Sequence, residues 1–261
     1  MILKSTRRRA AAMLLLLASA ASLGAAGAAR GEETVRVRDA SAKYELEVSV
    51  AACGGAARRG DADKCNGPAR VSLYRKGAGS PFQVLRLRNV ELYKDTLAFS
   101  PETSAKPRGV YAEEYTFVFQ DFDFDGEEDL AILNGRNAGY GGPSYSVYLF
   151  DRRSKRFAES RPLSRLTEGV HLGLFFPDPA KRRLAAFSKS GCCYHETDLY
   201  SVVRGRPVLV EKIIEDATTG GGAGEGFALV TTKRLVRGRW VVVKKKEKLE
   251  ERTPAGDGRP D

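Results

Sequence analysis

The chain contains almost no histidine and none of the common catalytic motifs, and both absences argue against a catalytic function. Its 261 residues include two histidines, His171 and His195, and neither lies in a recognisable Ser or Cys catalytic motif. No G-x-S-x-G nucleophile elbow occurs. The glycine-rich stretch 218–226 is followed by neither the Lys-Ser/Thr pair nor the helix of a phosphate-binding loop. We therefore expect a protein that is not an enzyme.

Long helical patterns are also missing. Short runs of alternating apolar residues recur instead, with turn residues between them, as in Tyr44–Val50, Tyr115–Phe119 and Tyr145–Phe150. This alternation is typical of β-strands with one buried face. We predict an all-β fold, either an antiparallel β-sandwich or a barrel-like domain. A β-propeller-like fold is the alternative, although a full propeller would show repeats at a fixed period.

The most informative stretch is acidic and lies between two predicted strands. It reads D-x-D-x-D-G-x-x-D, with aspartates at Asp121, Asp123, Asp125 and Asp129. Ca²⁺ takes about 6–8 oxygen ligands and tolerates flexible geometry. The four carboxylates, together with the backbone carbonyl of Glu127, would enclose one such ion, with Asp129 binding directly or through a water. The other interpretation is a solvated acidic turn.

The flanks of this stretch define the kind of loop. An EF-hand needs a bidentate Glu at loop position 12 and a helix on each side. Here position 12 is Ile132, and both flanks alternate like strands, while Gly126 permits the turn. We predict a calcium-binding β-hairpin loop that resembles the loop of FG-GAP or VCBS-type repeats. Such loops are usually structural, because a carboxylate cage leaves little room for a substrate.

The first residues predict export. Lys4 and Arg7–Arg9 precede an apolar stretch, and Ala26–Ala28 fits a small-x-small cleavage site. The apolar run is short for a membrane span, and no lipobox cysteine precedes Cys53. We expect residues 1–28 to be a signal peptide and the mature chain to be periplasmic or secreted, without an integral membrane span. Cleavage would remove four positive charges and lower the net charge from +10 to +6.

Three basic clusters, 152–156, 181–183 and 244–246, lie beside turns or near the C-terminus. The simpler interpretation is that they are solvated hairpin tips and edge-strand protection against aggregation. The alternative is contact with an anionic polymer or a cell surface. An exported protein does not ordinarily meet nucleic acid, and no aromatic-basic groove is visible, so we expect no nucleic-acid partner.

Four cysteines in an exported chain predict disulfides. We favour a Cys53–Cys65 bridge around a compact glycine-containing loop, which leaves the adjacent pair Cys192 and Cys193. Neighbouring Cα atoms lie about 3.8 Å apart across a trans peptide, closer than the roughly 4.4–6.8 Å usual for a disulfide. A vicinal bridge would therefore force a sharp, rigid turn. Free thiols, or a metal site shared with His195, are the alternatives.

Three segments together resemble a known group of bacterial proteins: Asp121–Leu130, Gly139–Leu149 and Phe187–His195. In this order and spacing they are similar to periplasmic lysozyme inhibitors of the PliI type. That group includes immunity proteins against peptidoglycan-hydrolase effectors of type IV secretion systems. The resemblance covers roughly residues 108–215. We accordingly divide the chain into the signal peptide 1–28, an N-terminal β region 31–99, a calcium-binding PliI-like β domain 108–249 and a flexible tail 250–261.

The resemblance implies a lysozyme-like peptidoglycan hydrolase as partner and an inhibitory loop that enters its active site. Inhibitors of this kind carry S-G-x-Y or S-G-x-x-Y, and Ser190, Gly191 and Tyr194 match the longer form, whereas the PliI group proper uses the shorter one. Ser190 would hydrogen-bond the two carboxyl groups of a glycosidase cleft, and Tyr194 would mimic a sugar ring. Lys189 or His195 would add positive charge. The alternative is that Tyr194 packs in the core and Ser190 only shapes a turn.

Two functions of different class remain at this point. The first is an exported calcium-binding inhibitor of a lysozyme-like hydrolase, acting in immunity or defence. The second is a calcium-dependent envelope or surface binding module of the FG-GAP/VCBS kind. A disulfide-stapled periplasmic enzyme of unknown chemistry is the weakest alternative.

Overall fold

The computed structural model describes residues 33–50, 64–101, 114–218 and 224–248, and in these ranges the chain is almost entirely β-strand. The all-β prediction is therefore confirmed. A short helix, α1 (Arg161–Arg165), and one 3₁₀ turn (Gly139–Gly141) interrupt the strands. The strands are β1 (Glu33–Val37), β2 (Tyr44–Val50), β3 (Lys64–Arg75), β4 (Gln83–Tyr93), β5 (Ala98–Phe99), β6 (Phe117–Gln120), β7 (Asp129–Gly135), β8 (Ser144–Asp151), β9 (Arg156–Glu159), β10 (Phe176–Asp178), β11 (Arg183–Ser190), β12 (Tyr194–Val203), β13 (Arg206–Asp216), β14 (Phe227–Val236) and β15 (Arg239–Lys248).

The strands form three sheets, and within each sheet neighbours along the chain are neighbours in space. The first sheet runs β1-β2-β3-β4, the second β5-β6-β7-β8-β9 and the third β10-β11-β12-β13-β14-β15. All strand pairs are antiparallel except the short pair β5 and β6. Among the described residues no sheet closes on itself, so the architecture follows the predicted sandwich and not the barrel.

The second sheet is the middle layer, because side chains leave it on both faces. Successive residues of a strand point to opposite faces. Phe117 and Phe119 of β6 therefore face the first sheet, whereas Val118 between them faces the third. Each fully buried side chain of this size contributes roughly 1.5–3 kcal/mol. The alternation of β6 and β7 thus stabilises two interfaces at once, and the result is a stack of three layers.

One buried cluster joins the first two sheets and a second joins the last two. The first cluster packs Tyr44, Leu46 and Leu73 against Phe119 and Ile132. It thus spans the predicted boundary between the N-terminal β region and the following domain. The division of the chain at that point stays a prediction, and the two parts share a core.

The short helix α1 covers the middle sheet near β8, and Leu163 within it is fully buried in the second cluster. In the described part of the chain, no helix has both the length and the apolar character needed to cross a membrane. Cys65 lies buried in β3 and is disulfide-bonded. Its predicted partner, Cys53, lies outside the described residues, as do the predicted signal peptide and the predicted tail.

Candidate functional site

The acidic loop connects β6 and β7 at one edge of the middle layer. The two strands pair directly up to Gln120 and Asp129, so the intervening residues 121–128 form the hairpin loop predicted from the sequence. Two residues of this loop have left-handed backbone, Phe124 (φ 63) and Gly126 (φ 90). The glycine meets this requirement without strain. The ring of Phe124 is buried in the second cluster, which fixes the loop against the core.

Asp129 anchors the loop from inside. Its side chain is buried, and its two carboxylate oxygens accept hydrogen bonds from the backbone N–H groups of Phe122 and Phe150, each at 2.8 Å. Burial raises the pKa of the Asp129 carboxyl to about 8, against the effect of these two donors, and the nearby Asp123 and Asp121 raise it further. A buried carboxylate among other carboxylates is poorly stabilised without a cation.

Three of the four predicted aspartates gather at one point. Oxygen atoms of Asp121, Asp123 and Asp129 lie within 4.8 Å of one another. Burial, followed by the neighbouring charge of Asp125, raises the pKa of Asp123. This donor set is all oxygen and all carboxylate, which suits a hard cation such as Ca²⁺ and not a soft metal. The residues present therefore fit the predicted ion, and Asp121, Asp123 and Asp129 would hold it.

The carboxylates of the two other predicted ligand residues, Asp125 and Glu127, lie beside basic side chains. The Nε atom of Arg152 lies 3.3 Å from a carboxylate oxygen of Asp125 and 3.6 Å from one of Glu127. The guanidinium also donates to the Asp125 carbonyl. Lys43 pairs with Glu127 at 3.1 Å. Arg152 belongs to a basic cluster for which the simpler sequence-based interpretation is a solvated hairpin tip. Its ion pairs with the acidic loop are therefore visible only in the structure.

The predicted inhibitory loop is the tip of a β-hairpin in the third sheet. Ser190 ends β11, Tyr194 begins β12, and the two residues pair across the hairpin. Gly191 opens the three-residue turn in left-handed conformation (φ 64), and a side chain at this position would meet no neighbouring atom. Ser190, Gly191 and Cys192 are exposed, whereas Tyr194 is partly buried and belongs to neither buried cluster.

Cys192 and Cys193 form a vicinal disulfide within this turn, with Sγ atoms 2.00 Å apart and Cα atoms 3.8 Å apart. Two sulfurs bonded to each other do not serve as thiolate ligands, so the structure gives no support to a metal site made with His195. The backbone carbonyl of Cys193 accepts a hydrogen bond from Ala217 N–H at 2.8 Å. The turn is therefore fixed both within itself and to the segment after β13.

Tyr140 completes the tip, and the sequence gives little warning of it. Its hydroxyl oxygen accepts the Gly191 N–H at 3.0 Å, and the Lys189 ammonium lies 5.5 Å from the centre of its ring. Yet Tyr140 is 71% exposed. Its backbone is left-handed (φ 58, ψ 25), a rare state for a bulky residue. Such strain is concentrated at functional sites, and the only sequence signal was a tyrosine between two glycines.

The segment 170–172 holds Tyr140 against the tip. Gly139 N–H donates to the His171 carbonyl at 2.7 Å, and a side chain at Gly139 would meet the Val170 carbonyl at 2.7 Å. Leu172 N–H in turn donates to the Phe187 carbonyl of β11 at 2.8 Å. Because Gly139 has no side chain, the backbone can approach closely here. This approach brings together Gly139–Leu149 and Phe187–His195, two of the three segments that carry the family resemblance.

The two predicted positive charges of the tip already have neighbours. Lys189 lies over the Tyr140 ring. His195 lies between the ring of Phe187, at 5.7 Å, and Glu215, with Nδ1 3.9 Å from a carboxylate oxygen. Partial burial raises the pKa of Tyr194, as does Glu196 beside it. The exposed chemistry of the tip is therefore the Ser190 hydroxyl, the disulfide and the phenol of Tyr140.

Comparison with known proteins finds a solved structure that is similar to this chain as a whole. The chain is similar to a Xanthomonas protein described as related to a type IV secretion system, at 25% sequence identity and a TM-score of 0.62. The match covers 82% of this chain and 93% of that one. No family model matches the sequence, and no curated protein matches it. The likeness extends over most of both chains, so the three-layer arrangement is shared with a secretion-related protein.

Proposed function

We propose that this protein is an exported, non-catalytic inhibitor of a lysozyme-like peptidoglycan hydrolase. In this proposal the tip formed by Ser190, Gly191, the vicinal disulfide and Tyr194 enters the hydrolase active site. The observation that carries the proposal is the construction of this tip, an exposed turn that contains a disulfide and is hydrogen-bonded to Tyr140 and Ala217. A loop that is already ordered loses little conformational entropy on binding, so more of the free energy of its contacts contributes to the affinity.

The chemistry of the tip suits a saccharide cleft with two carboxyl groups. The exposed Ser190 hydroxyl is a small donor for a carboxylate, and such charge-assisted hydrogen bonds are the stronger ones. The exposed phenol of Tyr140 adds a flat, amphipathic surface beside it. The structural likeness to a protein related to a type IV secretion system supports an envelope-associated role for this chain as well. It is compatible with immunity to a hydrolase effector and with a periplasmic or secreted location.

The acidic loop has a structural role in this proposal. Ca²⁺ held by Asp121, Asp123 and Asp129 would remove the mutual repulsion of their carboxylates and fix β6 to β7. The carboxylate of Glu128 in the same loop accepts hydrogen bonds from Ser41 at 2.9 Å and from Ser100 at 3.4 Å. The loop thus also ties the first sheet to the middle one. It lies on β6 and β7, whereas the inhibitory tip belongs to the third sheet.

The test is inhibition of purified muramidases of the goose, chicken, invertebrate and effector types. The protein should inhibit at least one at roughly stoichiometric amounts. Truncation of an interface hot spot costs about 2 kcal/mol or more. The double variant Ser190→Ala/Tyr194→Ala should therefore weaken inhibition by well over tenfold, by the rule of about 1.4 kcal/mol per decade.

A matched control is available on another exposed turn. Ser80 is exposed between β3 and β4, so Ser80→Ala should leave inhibition unchanged. Thermal melting must show that the double variant stays folded. Wild-type potency in the double variant would show that the tip is not the inhibitory element. If the wild type inhibits no enzyme of the panel, the calcium-dependent FG-GAP/VCBS-type surface module replaces the inhibitor as the working hypothesis.

A further inference from the structure

The C-terminal hairpin, formed by β14 and β15, carries most of the net positive charge of the chain. Its residues 227–248 include eight of the 43 lysines and arginines, but only one of the 33 acidic residues. This is a net charge of +7 in a chain whose total is +10. The remaining 35 basic and 32 acidic residues nearly balance, so the charge asymmetry of the molecule lies in one structural element.

Strand β15 of this hairpin has more exposed large apolar side chains than any other described strand. Trp240 and Val241 are each 47% exposed, Val242 is 51% exposed and Val243 is 60% exposed. Because successive residues of a strand point to opposite faces, an exposed run of this kind means that both faces of β15 are open. β15 is also the last strand of the third sheet, so its outer edge is paired with no described strand.

Most of the charges on the hairpin have no ion-pair partner among the described residues. Arg234 pairs with Glu211 at 2.7 Å, and Lys245 pairs with Glu247 at 3.4 Å. The Lys246 ammonium lies 4.1 Å from the centre of the Phe227 ring. In the described ranges the other basic side chains whose placement is defined form no ion pair. These are Lys233, Arg237, Arg239 and Lys244.

The register of the hairpin sorts these residues into an amphipathic face. Trp240 pairs with Leu235 next to the turn, Val242 pairs with Lys233, and Lys244 lies one step further along. Directly paired residues share a face, so this face is apolar at the tip and becomes basic away from it. The opposite face has a groove of about 290 Å³, lined by Thr232, Arg234, Val236, Val241 and Val243.

We propose that this hairpin docks on an anionic phospholipid surface, with Trp240 at the level of the headgroups and the lysines of β15 against lipid phosphates. Tryptophan is enriched at membrane interfaces because one end of the side chain is apolar and the other polar. A basic segment close to an anionic membrane gains about 1 kcal/mol, roughly fivefold in binding, per Lys or Arg. This surface lies outside the proposed inhibitory tip and does not depend on it.

The combination of charge and apolar surface favours a membrane over other occupants. A soluble anionic polymer would use the charge but leave Trp240 and the valines without a role. A second copy of the chain paired along β15 would bring together two hairpins of net charge +7 each, and like charges at an interface oppose association. An anionic lipid surface accounts for both features.

The experiment uses the purified protein and its own fluorophore. Trp240 is the only tryptophan in the chain, so its emission reports on the hairpin alone. With vesicles of mixed phosphatidylglycerol and phosphatidylcholine, the emission should shift to the blue and the protein should float with the vesicles. Pure phosphatidylcholine vesicles should give neither effect, and high salt should weaken both, because surface electrostatics are screened.

Two variants separate the contributions of charge and apolar surface. Lys244→Gln/Lys245→Gln/Lys246→Gln should weaken vesicle binding more than tenfold, and Trp240→Ser should weaken it severalfold in flotation. The matched control removes three exposed charges at the end of the β8–β9 hairpin, as Arg153→Gln/Lys155→Gln/Arg156→Gln, and should bind like the wild type. Melting temperatures check that each variant is folded.

Several outcomes would overturn the proposal. These are the absence of vesicle binding, an equal loss in the control variant, or unchanged flotation of Trp240→Ser without a blue shift in the wild type. The last result would point to an anionic polymer recognised by charge alone. A concentration-dependent dimer in sedimentation velocity, without vesicle binding, would assign the edge of β15 to a second copy.

Discussion

Removal and return of Ca²⁺ is the perturbation that tests the acidic loop most directly. A ligand that binds only the folded state stabilises it by about 2.7 kcal/mol at a hundredfold excess over its Kd. For a chain of this size, 1 kcal/mol shifts the melting temperature by about 2–4 °C. Calcium added to the EDTA-treated protein should therefore raise the melting temperature by about 5–10 °C.

The structure determines which variant tests the metal without damaging the fold. Asp129→Ala would leave the buried N–H groups of Phe122 and Phe150 unsatisfied, at about 1–3 kcal/mol each, with or without calcium. Within the described ranges, the side chain of Asp123 accepts a single hydrogen bond, from the exposed Asp125 N–H at 3.2 Å. Asp123→Asn keeps an acceptor and removes a charged ligand, so it should reduce the calcium-induced rise and leave the EDTA-treated melting temperature nearly unchanged.

The pH dependence follows from the raised pKa of Asp129, about 8. Between the usual pKa of an aspartate and that value, the metal-free folded protein holds a proton that the unfolded chain releases. Its stability therefore falls as the pH rises through this window. Calcium binding needs the ionised carboxylate, so the calcium-induced rise should grow from about pH 5 to about pH 8.

The assay is thermal unfolding in EDTA and in excess calcium at several pH values. Asp39→Asn is the matched control, because Asp39 is an exposed aspartate that pairs with Lys76 at 3.2 Å, away from the loop. Two results would refute the reasoning. One is an unchanged melting temperature when calcium is added to the wild-type protein, and the other is a full calcium effect in Asp123→Asn.

Three further predictions concern the tip and the third sheet. Tyr140→Gly and Tyr140→Ala should both weaken hydrolase inhibition. The glycine variant should be about 1 kcal/mol more stable than the alanine variant, because left-handed backbone strains alanine and not glycine. Equal stability of the two variants would contradict the argument that the backbone of Tyr140 is strained. Reduction of the Cys192–Cys193 bridge, or Cys192→Ser/Cys193→Ser, should weaken inhibition while the melting temperature changes little, and retained potency would contradict a need for a rigid turn. Glu211 accepts hydrogen bonds from two arginines, and the one from Arg234 is the main cause of its lowered pKa, so Glu211→Gln should cost about 1–3 kcal/mol at neutral pH. This contribution to stability is present above the usual pKa of a glutamate and is lost as the pH falls through the lowered pKa of Glu211. The difference in unfolding free energy between wild type and Glu211→Gln should therefore vanish in acid. A constant difference in urea unfolding down to about pH 2 would disprove this prediction.

Local patterns of the sequence predict the strands and the two loops well. The alternation in Tyr44–Val50 and Tyr145–Phe150 predicts strands β2 and β8. The acidic spacing predicts a hairpin loop between β6 and β7, and the turn at Ser190–Tyr194 closes β11 and β12. These features depend on backbone conformation and side-chain period within a few residues.

The sequence was less informative about what each loop touches. Asp125 stays a predicted metal ligand, and only the structure shows that its carboxylate also pairs with Arg152, from the turn after β8. Lys189 and His195 stay predicted contacts of a partner, and only the structure shows that they lie beside Tyr140 and Glu215. Such pairs depend on which strands and loops become neighbours in the fold, and the apolar periodicity of a single strand does not predict this.

The sequence by itself therefore determined an all-β chain, an acidic hairpin loop and an adjacent cysteine pair at a turn, because each is fixed by residues close together in the chain. Only the tertiary structure decided that the middle sheet is buried on both faces and that Tyr140 joins a tip 51 residues away. It also decided that β15 lies at the edge of the third sheet, with no described strand beyond it. The physical reason is that these contacts arise when three sheets stack, and the way they stack is determined by the apolar area that the whole molecule buries.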